Sequence, residues 1–275
     1  MSTTDHALAV EAAEAGAAVV RSQYGSSLER FTKIGTDFAT TADIEAERAI
    51  LDVLRAVCPA DGLLGEESGR TGVGGNGRTW LVDPLCGTLN FSARTMLASV
   101  NVALRTGTHV AVAASADPFS EEVFWTDGVA AYVRGAGTDQ RLVPSAESTL
   151  VDVNLDPPFP NRDVFLAARM LADEGFIAQF RPRVVSSTLA VAWVAAGRRA
   201  AYVTDGHDLR HSVHFAAGIA LCQAAGCVVT GIDGQPLHAG GEGLVAAADE
   251  QTHAALLTLI RTQRTGSDGR PRPAA

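Results

Sequence analysis

The sequence predicts an α/β (α+β) fold, and three patterns carry that expectation. An amphipathic helix opens the chain, alternating strands fill its middle, and strands and helices alternate through its second half. With 275 residues, 47% of them hydrophobic, the chain can bury a full core as one large unit or as two tightly joined halves.

Residues 5–24 place Ala, Val and Leu at helical spacing with acids between them, which predicts the first helix. A second is expected over 44–57, capped by Thr41 or Asp43, with Glu45 and Glu47 at its positive end. Residues 69–77 read as a Gly-rich surface turn, and 79–82 as a short apolar strand that delivers Asp83 at its end. Strands are expected at 99–104, 110–116, 122–126 and 130–133, broken at Gly107, Asp117-Pro118 and Asp127-Gly128. Beyond them the pattern alternates: strand 151–154, helix 162–174, strand 180–183, helix 187–196, strand 200–203 and helix 213–225. This divides the chain into halves at 1–145 and 146–262, and composition marks 263–275 as a disordered tail.

The bulk properties exclude several classes of function. A net charge of −9 with scattered basic residues argues against a nucleic-acid partner. No apolar run reaches the roughly 18 residues of a membrane span, and the N-terminus lacks the pattern of a signal peptide, so the reading is a cytoplasmic protein off the membrane. Four cysteines without CxxC spacing are expected to be reduced; Cys58, Cys222 and Cys227 read as small core hydrophobes.

The segment Thr79-Trp80-Leu81-Val82-Asp83-Pro84-Leu85-Cys86-Gly87-Thr88-Leu89-Asn90-Phe91 resembles the signature loop of the inositol monophosphatase family. Lys33 to Asp43, Gly65-Glu66-Glu67-Ser68, Asp117-Pro118, Ser187 to Tyr202 and His214-Phe215-Ala216-Ala217-Gly218 are similar to further motifs of that family, in the right order. The resemblance covers residues 5 to 262. It implies a layered αβαβα sandwich, often paired as a homodimer, that acts on a small phosphorylated metabolite with Mg²⁺.

For the site, the resemblance implies a first Mg²⁺ position on Glu66, Asp83 and the Leu85 carbonyl, with Asp43 supporting the water and Thr88 orienting it. Gly87 and Thr88 open a short helix whose N–H groups would cradle phosphate. The second metal position departs from the family: its acids after Asp83 are replaced by Cys86 and His214. Magnesium demands oxygen donors, so that position should not hold it. Either the site has lost its ion, or Asp83, Cys86 and His214 form a set suited to Zn²⁺ or another borderline metal. A third reading makes Cys86 a nucleophile helped by His214 or His211. Around the substrate, Arg183, His207, Asp208 and Arg210 are candidate pocket residues, each also readable as a solvated loop residue.

Three functions follow. One is a phosphomonoesterase for a sugar, cyclitol or related phosphate, with catalytic Asp43, Glu66, Thr88 and His214. The second is a repurposed enzyme that binds a phosphate or diphosphate substrate and catalyses elimination or cyclisation. The third is an inactive binding protein, against which the retained Asp43, Glu66 and Asp83 count.

Overall fold

The computed structural model describes residues 4–33 and 38–265. Helices α1 (Asp5–Gln23) and α2 (Thr41–Val57) lie side by side on one face of an eight-stranded sheet. Between them a small ribbon pairs β1 (Arg30–Thr32) with β2 (Phe38–Thr40). The sheet is built from β3 (Gly62–Gly65), β4 (Gly69–Gly72), β5 (Arg78–Cys86), β6 (Ser99–Thr106), β7 (His109–Ala116), β8 (Val123–Thr126), β9 (Ala131–Gly135) and β10 (Thr138–Arg141). Its order is β10-β9-β8-β7-β6-β5-β3-β4, antiparallel except where β3 runs parallel to β5. The short helix α3 (Thr88–Ser92) leaves the end of β5.

A second sheet, ordered β12-β11-β13-β15-β14, comprises β11 (Leu150–Val153), β12 (Arg181–Val184), β13 (Ala201–Thr204), β14 (Val228–Thr230) and β15 (Leu244–Ala247). Helices α4 (Ala167–Met170) and α5 (Glu174–Gln179) precede β12, α6 (Leu189–Ala195) and α7 (Ala216–Ala225) follow it, and α8 (Glu250–Thr265) closes the described chain.

Alternation of side chains along each strand divides these elements into five layers. On β5, Trp80 and Val82 pack with Leu8, Val20, Ile50 and Leu54 of the first two helices. Leu81, between them, faces the other way onto Ala216, Ala217 and Ala220 of α7. Phe124 and Ala131 from the first sheet and Tyr202, Leu244 and Ala246 from the second enclose α6 and α7. The far face of the second sheet, through Val151, Val203 and Val245, meets Phe176, Leu256 and Ile260. The result is the αβαβα sandwich. Among the described residues, no helix is long and apolar enough to cross a membrane.

Several boundaries differ from the sequence expectation. Helix α2 begins three residues early because Thr40 stands before it and Asp43, in the third helical position, accepts the Thr40 N–H at 2.7 Å. The helix expected at 162–174 is broken into pieces: Asp173 accepts the Phe176 N–H at 2.8 Å and starts a new helix. The expected turn at 69–77 contains edge strand β4, hairpinned onto β3. Helix α7 starts at Ala216 rather than 213, because Ser212 to Phe215 form a turn in which the Ser212 hydroxyl accepts the His214 N–H. Strands β14 and β15 and helix α8 were outside the expectation; α8 carries regular structure to Thr265, and the remainder of the expected tail lies outside the described residues.

Candidate active site

Asp43 sits at the start of α2, fully buried, with both carboxylate oxygens engaged. One takes the Thr40 N–H and hydroxyl; the other takes the Thr88 hydroxyl at 2.8 Å. Burial pushes the Asp43 carboxyl above its ordinary range against the pull of these donors. Thr88 Oγ also lies 3.1 Å from the Leu85 carbonyl, so that oxygen faces the same space.

Glu66 follows β3, its N–H bonded to the Val82 carbonyl at 3.0 Å. The turn through Glu66, Glu67 and Ser68 is held from below by buried Glu47, whose two oxygens accept the Glu67 and Ser68 N–H groups at 2.8 Å each. Gly65 is required here: a Cβ would stand 2.4 Å from Glu47 Oε2. Lys33 Nζ bridges Glu66 Oε1 at 2.7 Å and Glu67 Oε1 at 2.6 Å. Burial, reinforced by the charge of Asp83, pushes the Glu66 carboxyl up to about 8, although His214 and Lys33 oppose the rise.

Asp83 and Cys86 both belong to β5, where a register shift against β6 between them turns the strand. Asp83 is fully buried and accepts the Leu85 N–H at 3.2 Å. His214, from the turn before α7, sets Nδ1 2.9 Å from Asp83 Oδ2 and 3.9 Å from Glu66 Oε2. Burial alone would depress the imidazole, but the charge and hydrogen bond of Asp83 win and push it up to about 9. Conversely, burial alone would raise Asp83, and His214 holds it below the usual carboxylate range. At neutral pH the pair is therefore an imidazolium on a carboxylate.

Cys86 Sγ accepts the Thr188 N–H at 3.3 Å, and its carbonyl accepts the Ser187 hydroxyl at 3.2 Å. Burial and the neighbouring Asp83 charge raise the thiol well above its normal value, so it stays protonated. That is the reverse of what an activated nucleophile needs. Gly87, at φ 108°, makes the turn into α3; a Cβ there would meet the Leu97 carbonyl at 2.7 Å.

The site residues expected from the sequence thus fall into two groups. Asp43, Glu66, the stretch holding Asp83, Leu85, Cys86, Gly87 and Thr88, and His214 are four separate segments that converge. Arg183, His207 and Asp208 have other partners. Arg183 donates to the Pro182 carbonyl, His207 faces Glu242 at 3.1 Å and Asp208 faces His211 at 2.8 Å, all exposed. Arg210 lies beside them, its Nε buried without a partner. Sequence reasoning missed the support under the loop: Asn101 Nδ2 donates to Thr188 Oγ1 at 2.9 Å and reaches Asp83 Oδ2 at 3.4 Å, while its oxygen accepts the Ser115 hydroxyl at 2.8 Å. The available signal was Ser99, Asn101 and Ser115, polar positions inside otherwise apolar strands.

Comparison with known proteins places this geometry. The inositol monophosphatase family model matches residues 2–265. This chain belongs to the inositol monophosphatase family. It is 31% identical to the inositol-1-monophosphatase of Caulobacter vibrioides over 261 residues, 92% of this chain and 99% of that one. It is 32% identical to the Nus factor SuhB of Escherichia coli over 234 residues, 82% and 85% of the two chains. The crystal structure of the extragenic suppressor protein SuhB from Bartonella henselae superposes with a TM-score of 0.80 at 25% identity, covering 92% and 97%.

The donor types decide what each part of this family member's site could hold. Glu66, Asp83 and the Leu85 carbonyl supply oxygen alone, which fits a hard cation. Asp83, Cys86 and His214 bring one oxygen, one sulfur and one nitrogen within 4.8 Å of one another. That set does not fit magnesium; by type it fits zinc.

Proposed function

We propose that this family member is a phosphomonoesterase for a small phosphorylated metabolite, with one hard cation and with the His214 imidazolium where a second cation would stand. Magnesium held by Glu66, Asp83 and the Leu85 carbonyl would polarise the phosphoryl group and its nucleophilic water. Thr88 donates its proton to Asp43, which leaves its oxygen lone pairs to accept a proton from water at the phosphorus. The proton from that water passes to Thr88 Oγ as the Thr88 proton moves to Asp43. On the other side, Asp83 holds Nδ1 of His214, and the opposite ring nitrogen delivers its proton to the departing alkoxide oxygen. Solvent then returns both groups to their starting states. The N–H groups of Gly87 and Thr88, at the open end of α3, hold phosphate oxygens.

The observation that carries this reading is the His214 ring, fixed with Nδ1 2.9 Å from Asp83 Oδ2 and 3.9 Å from Glu66 Oε2. Its test uses the leaving group. With Mg²⁺ present, phosphate release is compared between wild type and H214N for an alkyl phosphate and for 4-nitrophenyl phosphate. General acid catalysis contributes about 100-fold or more, so H214N should lose that on the alkyl ester and little on the nitrophenyl ester, whose phenolate leaves unaided. Equal losses on both would remove His214 from the acid role. No release from any ester in a broad panel would overturn hydrolysis and favour non-hydrolytic chemistry on a bound phosphate.

The Asp83, Cys86 and His214 cluster supports a second reading of the cofactor, with zinc on those three atoms. A thiolate is then required, and binding of the ion would have to expel the Cys86 proton. The two readings exclude each other, because an imidazolium cannot be a ligand. Stoichiometric zinc in the purified protein, lost in C86A, would replace the acid role by a metal.

A further inference from the structure

Helix α7 ends between two thiols. Cys222 lies in its last turn with no accessible surface, and Cys227 stands half-buried just past the glycine that stops the helix. Gly226 takes φ 96°, and the chain folds back there. The Cys227 N–H bonds the Cys222 carbonyl at 2.9 Å, and the Gly226 N–H bonds the Gln223 carbonyl at 3.2 Å. These two bonds form a Schellman cap, which brings the residue after the glycine against one a turn inside the helix. With standard bond lengths, the 2.9 Å bond holds the Cα atoms of Cys222 and Cys227 within about 7 Å, the reach of a disulfide. Such a cap usually closes on an apolar contact, and two further features set this pair apart from that role. The Cys227 sulfur beside it, and then burial, raise the Cys222 thiol well above its normal value, so the sulfurs themselves are neighbours. Access is divided between them: Cys227 is open to solvent on one side, whereas Cys222 is sealed, its S–H on the Val191 carbonyl of α6 at 3.3 Å. Cys58 instead faces Asp61 and Arg78, and Cys86 faces Asp83 and Thr188.

We infer that Cys222 and Cys227 are a dithiol modification site, separate from the candidate active site, that a peroxide closes to a disulfide. The Cys227 sulfur attacks one peroxide oxygen. An S–O bond forms, the O–O bond breaks, and the departing hydroxide takes the Cys227 proton as water, leaving a sulfenic acid. The Cys222 sulfur then displaces that oxygen: the S–S bond forms, the S–O bond breaks, and the hydroxide leaves with the Cys222 proton as a second water. Two thiols are oxidised and one peroxide is reduced to two waters. The order follows from access, since only Cys227 meets solvent, and the second step is helped by two sulfurs already held side by side. The bridge ties the end of α7 to the residue before β14, at the opposite end of that helix from His214.

The test is mass spectrometry of the reduced full chain after exposure to hydrogen peroxide, followed by unfolding and alkylation with N-ethylmaleimide. Of the four cysteines in wild type, Cys58 and Cys86 should take up the label, and Cys222 and Cys227 should appear as one cross-linked peptide, lighter by two hydrogen atoms. Dithiothreitol should restore labelling at all four. C227S should leave Cys222 fully labelled, because the buried thiol meets no peroxide. In C222A the sulfenic acid has no partner, so dimedone should label Cys227 about tenfold more than in wild type. Thermal melts check that C222A folds; if it does not, C227S carries the comparison. Full labelling of peroxide-treated wild type, oxygen added to Cys227 without a bridge, or a bridge to Cys58 or Cys86 would overturn the assignment.

Discussion

Replacing Cys86 and His214 together by aspartate returns oxygen donors to the position where this chain departs from its family. The donor atoms of Asp83, Cys86 and His214 lie within 4.8 Å of one another. At that spacing, and at an effective dielectric constant of about 20, two carboxylates repel by about 3 kcal/mol, so three cannot all ionise in the absence of a cation. The double variant also loses the imidazolium that now neutralises Asp83. Without metal, C86D/H214D should therefore melt below wild type. Magnesium relieves the repulsion: at 100-fold over its Kd the gain is about 2.7 kcal/mol, which for a chain of this size is about 5–8 °C in Tm. Thermal melts across a magnesium series should show that rise in C86D/H214D and a smaller one in wild type. Phosphate release from an alkyl phosphate should increase in the same variant, since its leaving oxygen regains a cation. A variant that folds but neither gains thermal stability with magnesium nor releases phosphate would refute the placement of a second metal position at this corner of the site.

Three further outcomes follow from the same geometry. Glu66 holds a proton up to about pH 8, and a cation must displace it, so magnesium affinity measured by calorimetry should rise about tenfold per pH unit below that value and level off above it. His214 titrates near 9 in the folded chain against about 6.5 unfolded, so its stabilisation is complete below 6.5 and lost as pH rises through 9. Its ring is partly exposed, which discounts the effect to about 1 kcal/mol; the Tm of wild type should fall by about 2–4 °C more than that of H214N between pH 6.5 and 9.5. Gly65→Ala drives a Cβ against Glu47 and breaks the two bonds that shape the Glu66 turn. It should cost about 2 kcal/mol by denaturant melts and lower turnover, whereas an unchanged midpoint would mean that Glu47 is free to move aside.

The fold was legible where one pattern dominated. The strands from Ser99 to Gly135 alternate and are punctuated by Gly, Asp and Pro, and α1 keeps its apolar stripe for five turns. It was illegible where a single tertiary contact decides. Nothing local in 162–174 says that Asp173 will cap a new helix, and what makes Thr40 the residue before α2 is Asp43 turning back to its N–H. The site divides the same way. Its acids and Thr88 are recognisable because family motifs carry them in order, and Cys86 and His214 stand out as departures from those motifs. The Asn101 network escaped notice because a buried polar side chain in a strand reads as a lapse in alternation until its partners, 14 and 87 residues away, are seen. Arg183, His207 and Asp208 stand close in sequence to the family motifs, and in the fold their side chains meet Pro182, Glu242 and His211.

The seam between β5 and the helices of the inner layer also bears on how this chain can be divided. Asp43, Glu66, Asp83 and Thr88 all precede residue 90, yet the groups that hold their loop in place arrive a hundred residues later. Thr188 backs the sulfur, Ser187 the Cys86 carbonyl, the Ser186 carbonyl the Asn90 amide, and His214 closes on Asp83. A fragment ending between the two sheets would carry every acid of the centre and Lys33 against Glu66, but would lack Ser187, Thr188 and the His214 that faces Asp83. Genetic splitting of the gene at that linker should consequently give two pieces that regain a working centre only on reassociation.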